Sequence, residues 1–360
     1  KDALLKDPLV DICIGNNHKG ELVKILDDFF VNQRKKTAII DDLGIPSDYE
    51  KMTLDTVTDR VRTFVKIQDG CNQFCTYCAI PLARGRVRSR DKEEIVTEIK
   101  TLVEKGCKEI VLTGIHVGSY GIDMDENGNQ SGDYGGYSKL IDLVEEISGI
   151  EGLGRIRLSS VEPRIITDEN AKRLAALPNL CPHFHLSLQS GCDATLKRMN
   201  RHYSTDDYYE SVLALRKYFD DPAITTDVIA GFPGETDEEF DTTVAFVKKV
   251  AFSDMHIFKF SPRKNTKAAV MDGQLSEDIK NKRSDVLLDL ALEGAGRYMK
   301  SHIGRTEEVL LEEEKTILGK KYMIGHTPDY IPVAVPSEGQ TPGDIVNVTL
   351  SGMLTDEIMK

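Results

Sequence analysis

No apolar run in this 360-residue chain approaches the roughly 20 residues of a membrane span. There is no basic surplus either. Against 46 Lys and Arg stand 59 Asp and Glu, a net charge of −13, so any nucleic-acid contact must come from a local patch. The chain has no sequence repeat and no low-complexity tract, and its start, "KDALLKDPLVDICIG", has neither an initiator Met nor a targeting pattern. It reads as a fragment. Seven cysteines, an odd number without a secretory signal, fit a reducing compartment and a cytoplasmic protein. The 40% of hydrophobic residues is enough for a packed core. The length exceeds what one core usually serves, which predicts a large catalytic domain with a smaller attachment.

The opening "VDICIGNNHKGELVKILDDFF" reads as a short strand, a turn and an amphipathic helix. Residues 36–60 are polar, punctuated by Gly44-Ile45-Pro46, and read as a linker. From residue 61 β-rich apolar runs alternate with helical periods. The strands fall near 62–68, 109–115, 155–161, 184–189, 225–232 and 255–261. In the helix between the first two, Ile95, Ile99, Leu102 and Val103 share a face and Gly106 follows the end. Another helix starts at Thr236, with Glu239 three positions on as in a capping box. Strand–helix alternation predicts a parallel sheet with right-handed crossovers, and six units predict an α/β partial barrel with its chemistry at the strands' C-terminal ends. Residues 128–136, "GNQSGDYGG", read as a flexible loop. After a long helix near 276–301, short strands divided by Gly and Pro turns predict a small all-β barrel of the oligonucleotide-binding kind.

"DGCNQFCTYCAIP" places Cys71, Cys75 and Cys78 within eight positions. Three small core residues would not need this spacing beside Gly70, straight after a strand. Structural zinc is the rival, but it takes four protein ligands, and no second Cys pair is present. A four-iron cluster takes cysteine thiolates at four corners. Three cysteines leave one iron open to a substrate or cofactor.

The C-x3-C-x2-C spacing, with Tyr77 before the last Cys, resembles the signature of the radical S-adenosylmethionine enzymes, whose fold is a (β/α)6 partial barrel. Together with "GRVRSR", "LTGIHVGSYG", "LSSVEP", "HLSLQSGCDATLKRMNR", "DVIAGFPGETDEEF" and "FKFSPRKNT", it resembles the methylthiotransferases from about residue 8 to the end. "GIHVGSYG" is most similar to the bacterial branch acting on N6-threonylcarbamoyladenosine at tRNA position 37. Sister branches act on isopentenyladenosine tRNA or on an aspartate of a ribosomal protein, and a non-catalytic, metal-stabilised RNA-binding module is a further alternative. The resemblance implies a [4Fe-4S] cluster on Cys71, Cys75 and Cys78, with S-adenosylmethionine chelating the fourth iron. It implies a 5′-deoxyadenosyl radical that takes hydrogen from C2 of the adenine, and a methylated sulfur delivered there. It divides the chain into the end of an N-terminal methylthiotransferase domain (1–35), a linker (36–60), the barrel (61–297) and a TRAM-like RNA-binding domain (298–360). The family's second [4Fe-4S] cluster needs three N-terminal cysteines, and Cys13, inside an apolar strand, reads as core. The chain alone is therefore expected to cleave S-adenosylmethionine without completing methylthiolation. Expected partners are the tRNA anticodon stem-loop, a reductant such as flavodoxin or ferredoxin, and a sulfur donor, with the protein a monomer.

For the remaining residues ordinary structural roles compete with site roles. Gly231 in "AGFPGE" would let backbone approach a ligand, against an ordinary strand–helix turn. Asp227 precedes it, and Glu162 ends a strand where a carboxylate could accept ribose hydroxyls. Ser187 and Gln189, two apart, share a strand face. Arg198 and Arg201 suit the methionine carboxylate, with surface ion pairs as the competing account. Tyr77, Gly114 and Phe260 complete the cofactor contacts the resemblance implies. Arg84, Arg86, Arg88 and Arg90 alternate, so an extended chain would point all four to one face and toward phosphates. His116 and Tyr120, past a strand end, and Lys320 and Lys321 in the last domain are the other RNA contacts. That domain carries six basic against ten acidic residues over 300–360, which weakens a purely electrostatic account.

Overall fold

The computed structural model describes residues 2–32, 36–41, 43, 48–50, 61–124 and 139–360. The Gly44-Ile45-Pro46 punctuation and the loop at 128–136 lie outside the described residues.

The N-terminal stretch forms α1 (Asp2–Leu5), β1 (Ile12–Ile14), α2 (Leu22–Asn32) and β2 (Thr37–Ile39). β1 and β2 pair in parallel, with Cys13 opposite Ala38. Part of the expected linker is thus a strand, because α2 returns the chain beside β1 as a crossover helix does.

The central unit runs through β3 (Arg62–Asp69), α3 (Ile80–Arg84), β4 (Arg88–Ser89), α4 (Lys92–Glu104), β5 (Glu109–Gly114), α5 (Lys139–Ser148), β6 (Arg155–Leu158), α6 (Asp168–Ala175) and β7 (His183–His185). It continues through α7 (Asp193–Arg198), α8 (Thr205–Tyr218), β8 (Ala223–Ala230), α9 (Asp237–Val250), β9 (Asp254–Lys259) and α10 (Glu277–Ser301). β4-β3-β5-β6 form one sheet and β7-β8-β9 another, with bridges Ile156–Leu180 and Val161–Leu186 joining them. Apart from the antiparallel β4, the pairings are parallel. Six strands in chain order therefore make an open, curled half-barrel.

The local causes are visible in the sequence. Asp91 caps α4 by accepting from the Glu94 amide, and Ile95, Val96, Ile99 and Leu102 are buried on its inner face. Thr236 and Glu239 form the capping box of α9. Along β8, Ile224, Thr226 and Val228 are buried on one face, while Thr225 and Asp227 alternate to the other. The outward faces and the helices share one core that includes Val65, Ile110, Leu158, Phe184 and Val228.

α10 crosses the expected boundary at residue 298, and its Met299 joins the second core. β10 (Thr306–Ile317), β11 (Lys320–His326), β12 (Pro332–Pro336) and β13 (Ile345–Thr349) form an antiparallel sheet in the order β12-β11-β10-β13. It covers Val309, Leu311, Met323, Val333 and Met359. No helix among the described residues is long and apolar enough to cross a membrane.

Candidate functional site

β3 ends where Gly70 turns the chain at φ +70°, and a Cβ there would lie 1.8 Å from the Arg86 carbonyl oxygen. Only glycine fits. The loop that follows is tied down on both sides. Asn200 donates to the Gln73 and Phe74 carbonyls at 3.1 and 3.2 Å, and the Thr76 amide donates to the Met199 carbonyl at 3.0 Å. The Ala268 amide donates to the Thr76 carbonyl at 2.8 Å.

Each of the three thiols receives one N–H. The Gln73 amide points at Cys71 Sγ (3.5 Å), the Ile80 amide at Cys78 Sγ (3.4 Å) and Arg201 Nη1 at Cys75 Sγ (3.4 Å). Burial pushes the Cys71 thiol up to about 12 and raises that of Cys78 too, and neighbouring Cys75 adds to both. Such thiols ionise only when a cation takes the proton's place, as a metal centre does. Among the described residues one trio of ligands brings its atoms within 4.8 Å of one another, and it is not the thiols. A wider setting with N–H donors on every sulfur fits an iron–sulfur cube better than a single zinc ion.

Around the loop stand an apolar wall and a polar one. Tyr77 meets Phe232 edge-on at 6.3 Å, and Phe232 meets Phe260 at 5.3 Å. Opposite, Glu162 receives Arg164 at 2.8 Å, His116 Nε2 at 3.2 Å and Gln73 at 3.3 Å. Burial would raise the Glu162 carboxyl, but the His116 hydrogen bond and charge, with Arg164 and Arg201, hold it down to about 2. Arg201 lies on the Tyr203 ring at 4.8 Å and donates to its hydroxyl at 3.0 Å. Tyr203 in turn donates to the Leu188 carbonyl at 2.9 Å. Gly114 sits against Gln68, where a Cβ would come within 2.9 Å of its Oε1.

Several sequence expectations need correction. Arg198 is engaged by Glu239, with Nη1 at 3.0 Å and Nη2 closer still, so the two arginines are not equivalent and Arg201 is the one at the thiols. Arg84, Arg86, Arg88 and Arg90 share no face. α3 ends at Arg84, Gly85 turns at φ +80°, and β4 has two residues. Arg90 is buried on Glu98 at 2.5 Å, and buried Arg88 lies 3.5 Å from Asp69. Arg84 also reaches Asp69 at 3.5 Å. Only Arg86 of the four is exposed, lying over Phe74 at 4.5 Å. Tyr120 is 4% exposed and belongs to the main core, which removes it from any RNA surface. β7 stops at His185, and Gln189 has φ +68°, so Ser187 and Gln189 do not alternate along one regular strand.

The remaining residues lie as follows. Asp227 faces His185 Nε2 at 3.3 Å. The Gly231 amide donates to Glu235 at 3.0 Å. Lys320 and Lys321 are exposed on β11, with Lys321 on Glu314 at 2.7 Å. Gln73, Asn200 and Tyr203 escaped the sequence reading. Asn200 and Tyr203 are the two ends of "NRHY", around an arginine already singled out, the one signal that could have found them.

Residues 65–247 match the radical SAM superfamily. The threonylcarbamoyladenosine tRNA methylthiotransferase MtaB of Bacillus subtilis is 38% identical over 95% of this chain and 74% of its own length. A tRNA-2-methylthio-N(6)-dimethylallyladenosine synthase of Clostridium botulinum is 35% identical over 96% of this chain and 74% of its own. Among solved structures, methylornithine synthase aligns at 14% identity and a TM-score of 0.45, over 65% of this chain and 62% of that one. With relatives of this identity over nearly its whole length, the chain belongs to the radical S-adenosylmethionine methylthiotransferases, transferases that use a [4Fe-4S] cluster and S-adenosylmethionine.

Proposed function

We propose that the protein serves the methylthiolation of N6-threonylcarbamoyladenosine at position 37 of tRNA, the substrate class in the name of its Bacillus subtilis relative, with residues 1–360 supplying the cleavage of S-adenosylmethionine. The observation that carries this branch is the identity to relatives so named, 38% to 42%, against 35% to 37% for those named for dimethylallyladenosine. Cys71, Cys75 and Cys78 hold the cluster, each sulfur fixed by the N–H described above. A cluster held there would supply the electron for reductive cleavage of S-adenosylmethionine.

The chain's own residues set the stage. Arg201, held flat by Tyr203, keeps a positive charge at Cys75 and offers a guanidinium to the methionine carboxylate. Glu162 stays ionised and can accept ribose hydroxyls. Tyr77, Phe232 and Phe260 keep water from that side. Arg86, Lys320 and Lys321 are the exposed cations for the anticodon stem-loop. Seven free cysteines support work in the reducing cytosol, with flavodoxin or ferredoxin as reductant and a separate sulfur donor.

The test is anaerobic reconstitution with iron and sulfide, reduction, and measurement of 5′-deoxyadenosine from S-adenosylmethionine. Cleavage in the wild type and none in Cys75→Ala is expected. A gel shift with threonylcarbamoylated against isopentenylated anticodon stem-loops then decides the branch. Tighter binding of the isopentenylated RNA, or capture of a ribosomal protein instead of either, would overturn it.

A further inference from the structure

Away from the thiols, histidine is concentrated at one place. Four of the chain's eight histidines, His183, His185, His256 and His326, line a cavity of about 430 Å³ between the β7–β9 sheet and the C-terminal sheet. Two of them belong to a trio on adjacent strands. His185 on β7 pairs with Thr225 on β8, and Asp227, two residues further along the same face of β8, pairs with His256 on β9. The ligand atoms of His185, Asp227 and His256 all lie within 4.8 Å of one another. The two imidazoles are inclined at 26°, with ring centres 5.7 Å apart.

The geometry points to a second metal site, in which His185, Asp227 and His256 bind a divalent first-row transition ion of the zinc class. Two imidazoles and one carboxylate are the donor set such ions take, and three protein ligands leave a position open. His185 is already oriented for it. Its Nδ1 is engaged by Thr225 Oγ1 at 3.0 Å, while Nε2 faces Asp227 at 3.3 Å. A metal-bound histidine characteristically spends its other nitrogen on a neighbouring oxygen in this way, fixing the ring and the tautomer. The competing account is a His185–Asp227 hydrogen bond with no metal. It gives no reason for His256 to stand within reach of both.

The test uses the protein with its cluster reconstituted, so that the thiols are occupied, dialysed anaerobically against micromolar Zn(II). Zinc and iron are then counted by elemental analysis. One zinc per chain is expected in the wild type and none in His256→Asn, with iron unchanged. His256 is exposed, so its replacement spares the fold, and Asp227→Asn is the second variant. Thr225→Val should keep the ion but weaken its affinity about tenfold. No zinc in the wild type, or one zinc retained by both ligand variants, would overturn the proposal.

Discussion

Cys71, Cys75 and Cys78 are legible in the sequence because metal spacing is local and survives any fold. Their partners are not, because Asn200 meets Gln73 from 127 positions away and such closures have no sequence signature. Arg198 and Arg201 read alike for the same reason: only the fold, which brings Glu239 at the start of α9 to Arg198, tells them apart. Gly70 falls between these cases, since its place beside the first cysteine marks it but its necessity is steric. Gly70→Ala forces a left-handed alanine into the Arg86 carbonyl, 1.8 Å away. We expect about 3 kcal/mol lost in urea unfolding. The iron retained after reconstitution should fall with it, because the same turn sets the direction in which Cys71 leaves β3.

At the level of elements, periodicity and caps located the helices well. α4, α9 and α10 carry their own stop and start signals, and α10 runs Glu277–Ser301 where 276–301 is expected. Strand ends were less legible. The strands expected over 155–161 and 184–189 run further than those found, for β6 stops at Leu158 and β7 at His185. Beyond them single bridges replace the ladder, as the curling sheet splays its strands, and hydropathy does not encode curvature. The attachment of α10 to the C-terminal sheet depends on a pair no pattern foretold. His302, just past the helix end, meets Asp329 at 2.9 Å, and Tyr298 donates to the same carboxylate at 2.9 Å. Burial works against both charges, but the hydrogen bond between them raises His302 above its ordinary 6.5 and lowers Asp329 below its ordinary 3.8. A raised histidine stabilises fully below 6.5 and loses that contribution as pH climbs through its folded value. A lowered aspartate stabilises above 3.8 and loses it as pH falls. The stability contributed by this pair should therefore be greatest between these limits. Urea midpoints measured from pH 6 to 9 should decline in the wild type, and Asp329→Asn should flatten that decline.

Over the whole molecule, the strands that present the thiols at one end carry a charged fastening at the other. Glu109, fully buried at the start of β5, receives Arg62 at 2.8 Å and Arg157 at 2.9 Å, with Arg155 at 3.8 Å. Burial would raise its carboxyl, yet Arg157, Arg62 and Arg155 keep it low. The same arginines hold the C-terminal sheet. Arg62 reaches Glu312 at 2.6 Å, Arg155 reaches Glu308 at 2.9 Å, and Arg62 and Arg157 lie over the Tyr330 ring at 5.0 and 4.6 Å. Acidic residues of that domain are thus spent inward on the barrel, which accounts for part of its unfavourable balance for RNA. Removing the shared carboxylate leaves three cations crowded in a dry place, where breaking a buried network costs about 3–5 kcal/mol. Glu109→Ala should lower stability by that much and free the C-terminal sheet for limited proteolysis at α10. Cys71, Cys75 and Cys78 lie at the far end of the barrel, so iron bound per folded chain should hold at the wild-type value. If iron falls in step with the sheet's release, the two ends are coupled through β3, which begins at Arg62 and stops one residue short of Gly70.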